Sequence, residues 1–104
     1  MTERIEKLKA LLAQNAADSF VQHALALEYV KLNRDEDAKA MFEELLQKNE
    51  GYVGSYYHLA KLLERRGETS GAIAVYEKGM KVAKTANDNH AYSELQAAYE
   101  DLIY

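Results

Sequence analysis

The sequence predicts an all-α fold of six helices, arranged as a short α-solenoid of antiparallel helical hairpins. Three observations point there. Apolar residues recur at helical spacing almost throughout, and no segment alternates apolar and polar residues over the length of a strand. Proline is absent from all 104 residues, so no helix interior is forced to break. The chain is also similar to itself at a shift of 34 residues, the kind of period that marks stacked structural repeats.

The first helix spans residues 3–14, with Ile5, Leu8, Leu11 and Leu12 on one face. A polar break from Asn15 to Asp18 ends it. The second runs from Ser19 to Leu32 and is apolar on several sides, through Phe20, Val21, Leu25, Leu27, Tyr29 and Val30, as suits a helix between neighbours. Asn33-Arg34-Asp35 reads as a turn, with Asp35 placed to cap the third helix, Glu36–Lys48. That helix presents Ala38, Met41, Phe42, Leu45 and Leu46. Gly51, just past its end, suits a left-handed backbone. The fourth helix carries Tyr56, Leu59, Ala60, Leu62 and Leu63 and stops near Gly67. Thr69 or Ser70 caps the fifth, which carries Ala72, Ile73, Tyr76, Met80 and Val82. After a polar loop in which Asn87 or Asp88 can cap, the last helix shows Ala91, Tyr92, Leu95, Ala98, Tyr99 and Leu102. The loops are short, so sequential helices pack antiparallel.

At the shift of 34, Leu25-Ala26 falls on Leu59-Ala60, Asn33 on Gly67, Ala38 on Ala72, Phe42 on Tyr76 and Leu46 on Met80. Leu8, Leu11 and Leu12 stand one period before Phe42, Leu45 and Leu46. At a shift of 36, Tyr56, Leu59 and Leu63 fall on Tyr92, Leu95 and Tyr99. The stretches Tyr56-x2-Leu59-Ala60-x2-Leu63, Gly67, Ala72-x3-Tyr76 and Gln22-x2-Leu25-Ala26-x2-Tyr29, Asn33, Ala38-x3-Phe42 resemble the tetratricopeptide repeat (TPR) family. The family's proline at each repeat end is replaced by Ala16, Glu50 and Lys84. The resemblance implies a single domain over 1–104: a capping helix of the B type (1–16), one repeat at 18–50, a second at 52–86 and a closing helix at 88–104. In this scheme Ala26, Ala38, Ala60 and Ala72 sit where helices approach closely, and Tyr29, Tyr56, Tyr76, Tyr92 and Tyr99 take core positions.

Composition narrows the function. With no cysteine, thiolate metal sites, Fe–S clusters, disulfides and thiol catalysis are excluded. Net charge is −4 and the basic residues alternate with acids, as in Glu64-Arg65-Arg66, which argues against nucleic acid and anionic membranes as partners. No apolar run nears the ~20 residues of a membrane span. The charged start, Met-Thr-Glu-Arg-Ile-Glu-Lys, is unlike a signal peptide, so the expected location is cytoplasmic. No two of His23, His58 and His90 have the i, i+4 spacing that puts a pair of ligands on one helix face, so no metal or other cofactor is expected. Asp35-Glu36-Asp37 suits a helix N-terminus, and Glu43-Glu44 a solvated face. Without a glycine-rich phosphate loop or a nucleophile elbow, no enzymatic activity is expected.

The resemblance implies a concave surface lined by the A-type helices, which holds a peptide or partner helix. Its residues here would be Phe20, His23, Leu27 and Val30, then Gly54, Tyr57, Lys61 and Glu64, then His90, Ser93, Ala97 and Glu100. The stripe runs from apolar to polar and acidic, and its apolar end suits a binding surface. Some TPR proteins clamp a chaperone's terminal carboxylate. The matching positions are His23, Leu27, His58, His90 and Glu94, with no lysine or arginine among them, so that ligand is not expected. The leading expectation is a non-enzymatic adaptor for a protein or peptide partner. The alternative is a self-associating module, a homodimer formed through the same stripe or the last helix.

Overall fold

The computed structural model describes residues 2–104. These form six helices and no strand: α1 (Thr2–Gln14), α2 (Ser19–Lys31), α3 (Asp35–Lys48), α4 (Gly54–Arg65), α5 (Thr69–Thr85) and α6 (Asn89–Ile103). Among the described residues no helix is long and apolar enough to cross a membrane. The chain divides into two compact units, one ending at Asn49 and the other beginning at Glu50.

In the first unit α2 packs on both α1 and α3. Its core joins Ile5 and Leu8 of α1 with Val21, Leu25, Ala26 and Tyr29 of α2 and Ala38, Phe42 and Leu45 of α3, all buried. Ala26 and Ala38 expose nothing, as expected of small residues where backbones meet. The Asp18 carboxylate accepts from the Val21 amide at 3.1 Å and caps α2. Glu28 of α2 holds Arg4 of α1 at 3.2 Å and Lys31 at 3.3 Å, tying the first helix to the second.

In the second unit α5 lies against α4 and α6. Tyr56, Leu59, Ala60, Leu62 and Leu63 of α4 meet Ala72, Tyr76, Gly79 and Ala83 of α5 and Leu95 and Ala98 of α6. The Tyr56 hydroxyl donates to the Glu50 carbonyl at 2.6 Å. The Tyr76 hydroxyl, on a ring with no exposed surface, donates to the Glu64 carboxylate. Burial and that carboxylate push the Tyr76 phenol far above its usual range, so it stays protonated and keeps donating.

Three of the turns share one geometry. Asn33 (φ 57°), Gly67 (φ 77°) and Asn87 (φ 58°) are left-handed. In each case the next amide bonds back five residues, Arg34 to Tyr29, Glu68 to Leu63 and Asp88 to Ala83, all at 2.9 Å. Asparagine tolerates this conformation better than other residues with a β-carbon. These turns correct the expected caps. The residue after the left-handed one becomes the N-cap, which puts Arg34 and Glu68 there instead of Asp35 and Thr69 or Ser70, and neither makes a side-chain cap bond. Only Asp88 combines that place with a capping side chain, accepting from the Ala91 amide at 3.0 Å. Gly51 is not left-handed, and the residue that caps the end of α3 is Asn49 (φ −135°, ψ 76°).

Gly79 marks a close approach of α5 to α4 and α6. A β-carbon there would lie 2.7 Å from the Tyr56 β-carbon and 3.1 Å from the Leu95 side chain. In a free helix, glycine to alanine stabilises by about 1 kcal/mol. Here overpacking of about 1–3 kcal/mol opposes it, so Gly79→Ala is expected to lower stability in urea unfolding. Gly54→Ala, whose added atom meets nothing, is the control and should not destabilise. A Gly79→Ala chain more stable than the parent would show that α4 and α5 are not in tight contact.

Candidate functional surface on the A-type helices

The first unit places Phe20, His23, Leu27 and Val30 along α2. Phe20 is 71% exposed, while Leu27 and Val30 are half-buried. Spacings of three, four and three residues keep the four on one side of the helix. His23 is also half-buried, and its ring stands edge-on to Phe42 at 5.9 Å between centroids, so part of it serves the α2–α3 contact. The exposed apolar group of this stripe is therefore Phe20, supported by Leu27.

The second unit places Tyr57, Lys61 and Glu64 on α4 and His90, Ser93 and Ala97 on α6. Tyr57 is half-buried, with its ring edge-on to that of His58 at 5.5 Å. Lys61 is exposed and 3.7 Å from Glu64. Glu64 is partly withdrawn from solvent, because its carboxylate also takes the Tyr76 hydroxyl of α5. Burial lowers the pKa of His58, opposed in part by the Glu94 carboxylate, so this imidazole is neutral at pH 7. His90, Ser93 and Ala97 are all exposed. Among the described residues no group of three or more His, Asp or Glu side chains is placed to hold a metal.

Two of the expected core residues are not in the core. Tyr92 and Tyr99 are half-buried, whereas Tyr56 and Leu63, their equivalents on α4, are 3% and 4% exposed. The physical reason is that α5 covers that face of α4, while among the described residues of the second unit no helix covers it on α6. Tyr92 and Tyr99 instead wall a cleft of about 500 Å³ with Glu77, Met80, Lys81 and Lys84 of α5. The Tyr99 hydroxyl donates to Glu77 at 3.1 Å across it. Repeat alignment gives these tyrosines their register, but not whether a partner helix is present, so the cleft could not be read from it.

Paired helices of this length, closed by left-handed Asn or Gly turns and packed through alanines, define a helical-repeat protein. The tetratricopeptide repeat family model matches residues 21–50 and 53–85, and the chain belongs to that family. A tetratricopeptide repeat domain protein from Salinibacter ruber is 42% identical. In its solution structure 83% of this chain and 87% of that one align with a TM-score of 0.80. In its crystal structure, at the same 42% identity, 82% and 94% align at 0.78. A Bordetella parapertussis protein is 26% identical over 94% of this chain and 85% of its own, with a TM-score of 0.82. The TPR2B domain of yeast Sti1, solved in complex with pHsp70, shares the fold at 15% identity, 94% and 78% coverage and a TM-score of 0.88. No curated protein matches the chain significantly.

Proposed function

We propose that this chain is a non-enzymatic interaction module that binds a peptide or partner helix on the exposed faces of its A-type helices, within repeats at 18–50 and 52–86 flanked by capping helices at 1–16 and 88–104. The observation that carries this reading is Phe20, an aromatic ring 71% exposed within a helix and continued by Leu27 and Val30 on the same side. Exposed aromatic residues are the usual anchors of protein interfaces. Membership of the TPR family supports the reading, and the Sti1 domain solved with pHsp70 shows one member of the fold in a complex. The positions that would clamp a terminal carboxylate carry His23, Leu27, His58, His90 and Glu94. Recognition on α2 therefore rests on apolar side chains, and on α4 the candidates are Tyr57 and Lys61.

The test uses Phe20→Ser, Leu27→Ser and Tyr57→Ser. A displayed peptide library is panned on the parent chain, and the selected peptides are titrated against each variant. Binding should weaken by roughly 1–3 kcal/mol per site. Phe20→Ser should melt with the parent, and the two half-buried positions only slightly below it. If all three variants bind every selected peptide as tightly as the parent, the A-type faces are not the binding surface.

A further inference from the structure

We infer that the α5–α6 cleft is a second docking surface, and that its occupant is an acidic amphipathic helix of a partner protein, with carboxylates toward Lys81 and Lys84 and an apolar side toward Tyr92 and Tyr99. The cleft stands apart from the A-type stripe. Successive residues of a helix point about 100° apart, so Tyr92 and Tyr99 face a different side of α6 from His90, Ser93 and Ala97.

The open face is one that a helix fits. Tyr92 and Tyr99 are the repeat equivalents of Tyr56 and Leu63 on α4, and there a helix lies across both. α5 crosses Tyr56 at Gly79, where an added β-carbon would stand 2.7 Å from that of the tyrosine. It passes Leu63 at Gly71, where one would stand 3.6 Å from the leucine side chain. On α6 both positions are half-buried, and Ile103, four residues after Tyr99 on the same side, is 37% exposed. Tyr92, Tyr99 and Ile103 thus form an apolar stripe about three helical turns long. The cleft of about 500 Å³ between this stripe and Met80 of α5 receives the side chains of the incoming helix.

Charge selects an acidic occupant. Lys81 and Lys84 line the cleft from α5, both are exposed, and among the described residues neither makes an ion pair. Lys78, on the same helix, is by contrast held by Glu50 at 2.7 Å. Glu77 is the one carboxylate lining the cleft, and it already accepts the Tyr99 hydroxyl at 3.1 Å. Glu94 and Asp101 of α6 act on His58 of α4 and on Tyr76. The cleft is therefore net positive in a chain whose net charge is −4. Complementary charge selects partners and speeds their encounter. Two lysines beside a carboxylate make no basic stripe, so the fit is to an acidic peptide and not to a nucleic acid.

The experiment pans a displayed library of helix-forming peptides on the full parent chain. Each selected peptide is then titrated against Phe20→Ser, against Tyr92→Ala and against the double variant Lys81→Glu with Lys84→Glu. Both lysines are exposed, so the double variant should melt with the parent. One class of selected peptides is expected to carry net negative charge and to bind Phe20→Ser as tightly as the parent. The same class should bind the double variant about tenfold or more weaker, lose affinity for Tyr92→Ala, and weaken as salt is added. Exchanging the glutamates of such a peptide for lysines should reverse its preference between the parent and the double variant. Peptides that are lost only in Phe20→Ser bear on the A-type stripe alone, so the two surfaces fail separately. The proposal is overturned if no selected peptide depends on Lys81 and Lys84, or if those that do are neutral or basic. It is overturned equally if a single-stranded oligonucleotide takes the cleft in their place, or if sedimentation shows the parent filling the cleft with a second copy of itself.

Discussion

Ala60→Glu and Ala72→Glu are each expected to destabilise the chain by about 3–5 kcal/mol, the cost of an uncompensated buried charge. Both alanines have no exposed surface, and each stands where α4 and α5 come together. A glutamate there would bring its charge into a contact that alanine already fills. Ala26→Glu should act alike on the contact of α2 with its neighbours, since Ala26 is also fully buried. Domains of this size are stable by about 5–15 kcal/mol, so the thermal transition seen by circular dichroism should fall steeply or vanish. If all three variants lose less than about 1 kcal/mol, these alanines are not at tight helix contacts.

The second large effect concerns α6. Removing residues 88–104 takes Leu95 and Ala98 away from α5 and opens the side of Gly79 that Leu95 now touches. Terminal helices of repeat proteins shield the stack. The shortened chain should aggregate or lose about 3 kcal/mol or more, roughly 12–24 °C in melting temperature. Light scattering and a melting scan together decide it. A shortened monomer with an unchanged melt would mean that α6 is a free arm and not a cap.

How far the sequence carries can be judged at particular residues. All six helices lie where hydrophobic periodicity puts them, because burial of an apolar face is what makes a helix of this length stable. The pairs Leu25-Ala26 and Leu59-Ala60 are buried as the repeat demands. Helix starts were harder to read. Asp35 and Thr69 have capping chemistry, yet the left-handed turns at Asn33 and Gly67 place the cap one residue earlier. Tyr92 and Tyr99 show a different limit. Register assigns a side chain to a face, whereas burial depends on whether another helix covers that face. That Phe20, His23, Leu27 and Val30 share one side of α2 was legible from their spacing. The withdrawal of Glu64 toward Tyr76 was not, because it depends on a hydroxyl twelve residues away on another helix.

The three matching turns also bear on how quickly the chain reaches its fold. Each reverses direction within a few residues and closes on a carbonyl five positions back. Within each unit, helices in contact are neighbours in the chain, with α4 and α6 the exception. Little loop entropy is lost before contacts repay it, and proteins dominated by such local contacts cross their barrier in microseconds to milliseconds. No proline isomerisation interrupts that search, since the sequence has no proline. A newly made hairpin can therefore collapse as soon as its second helix is synthesised, leaving its apolar stripe exposed for little time.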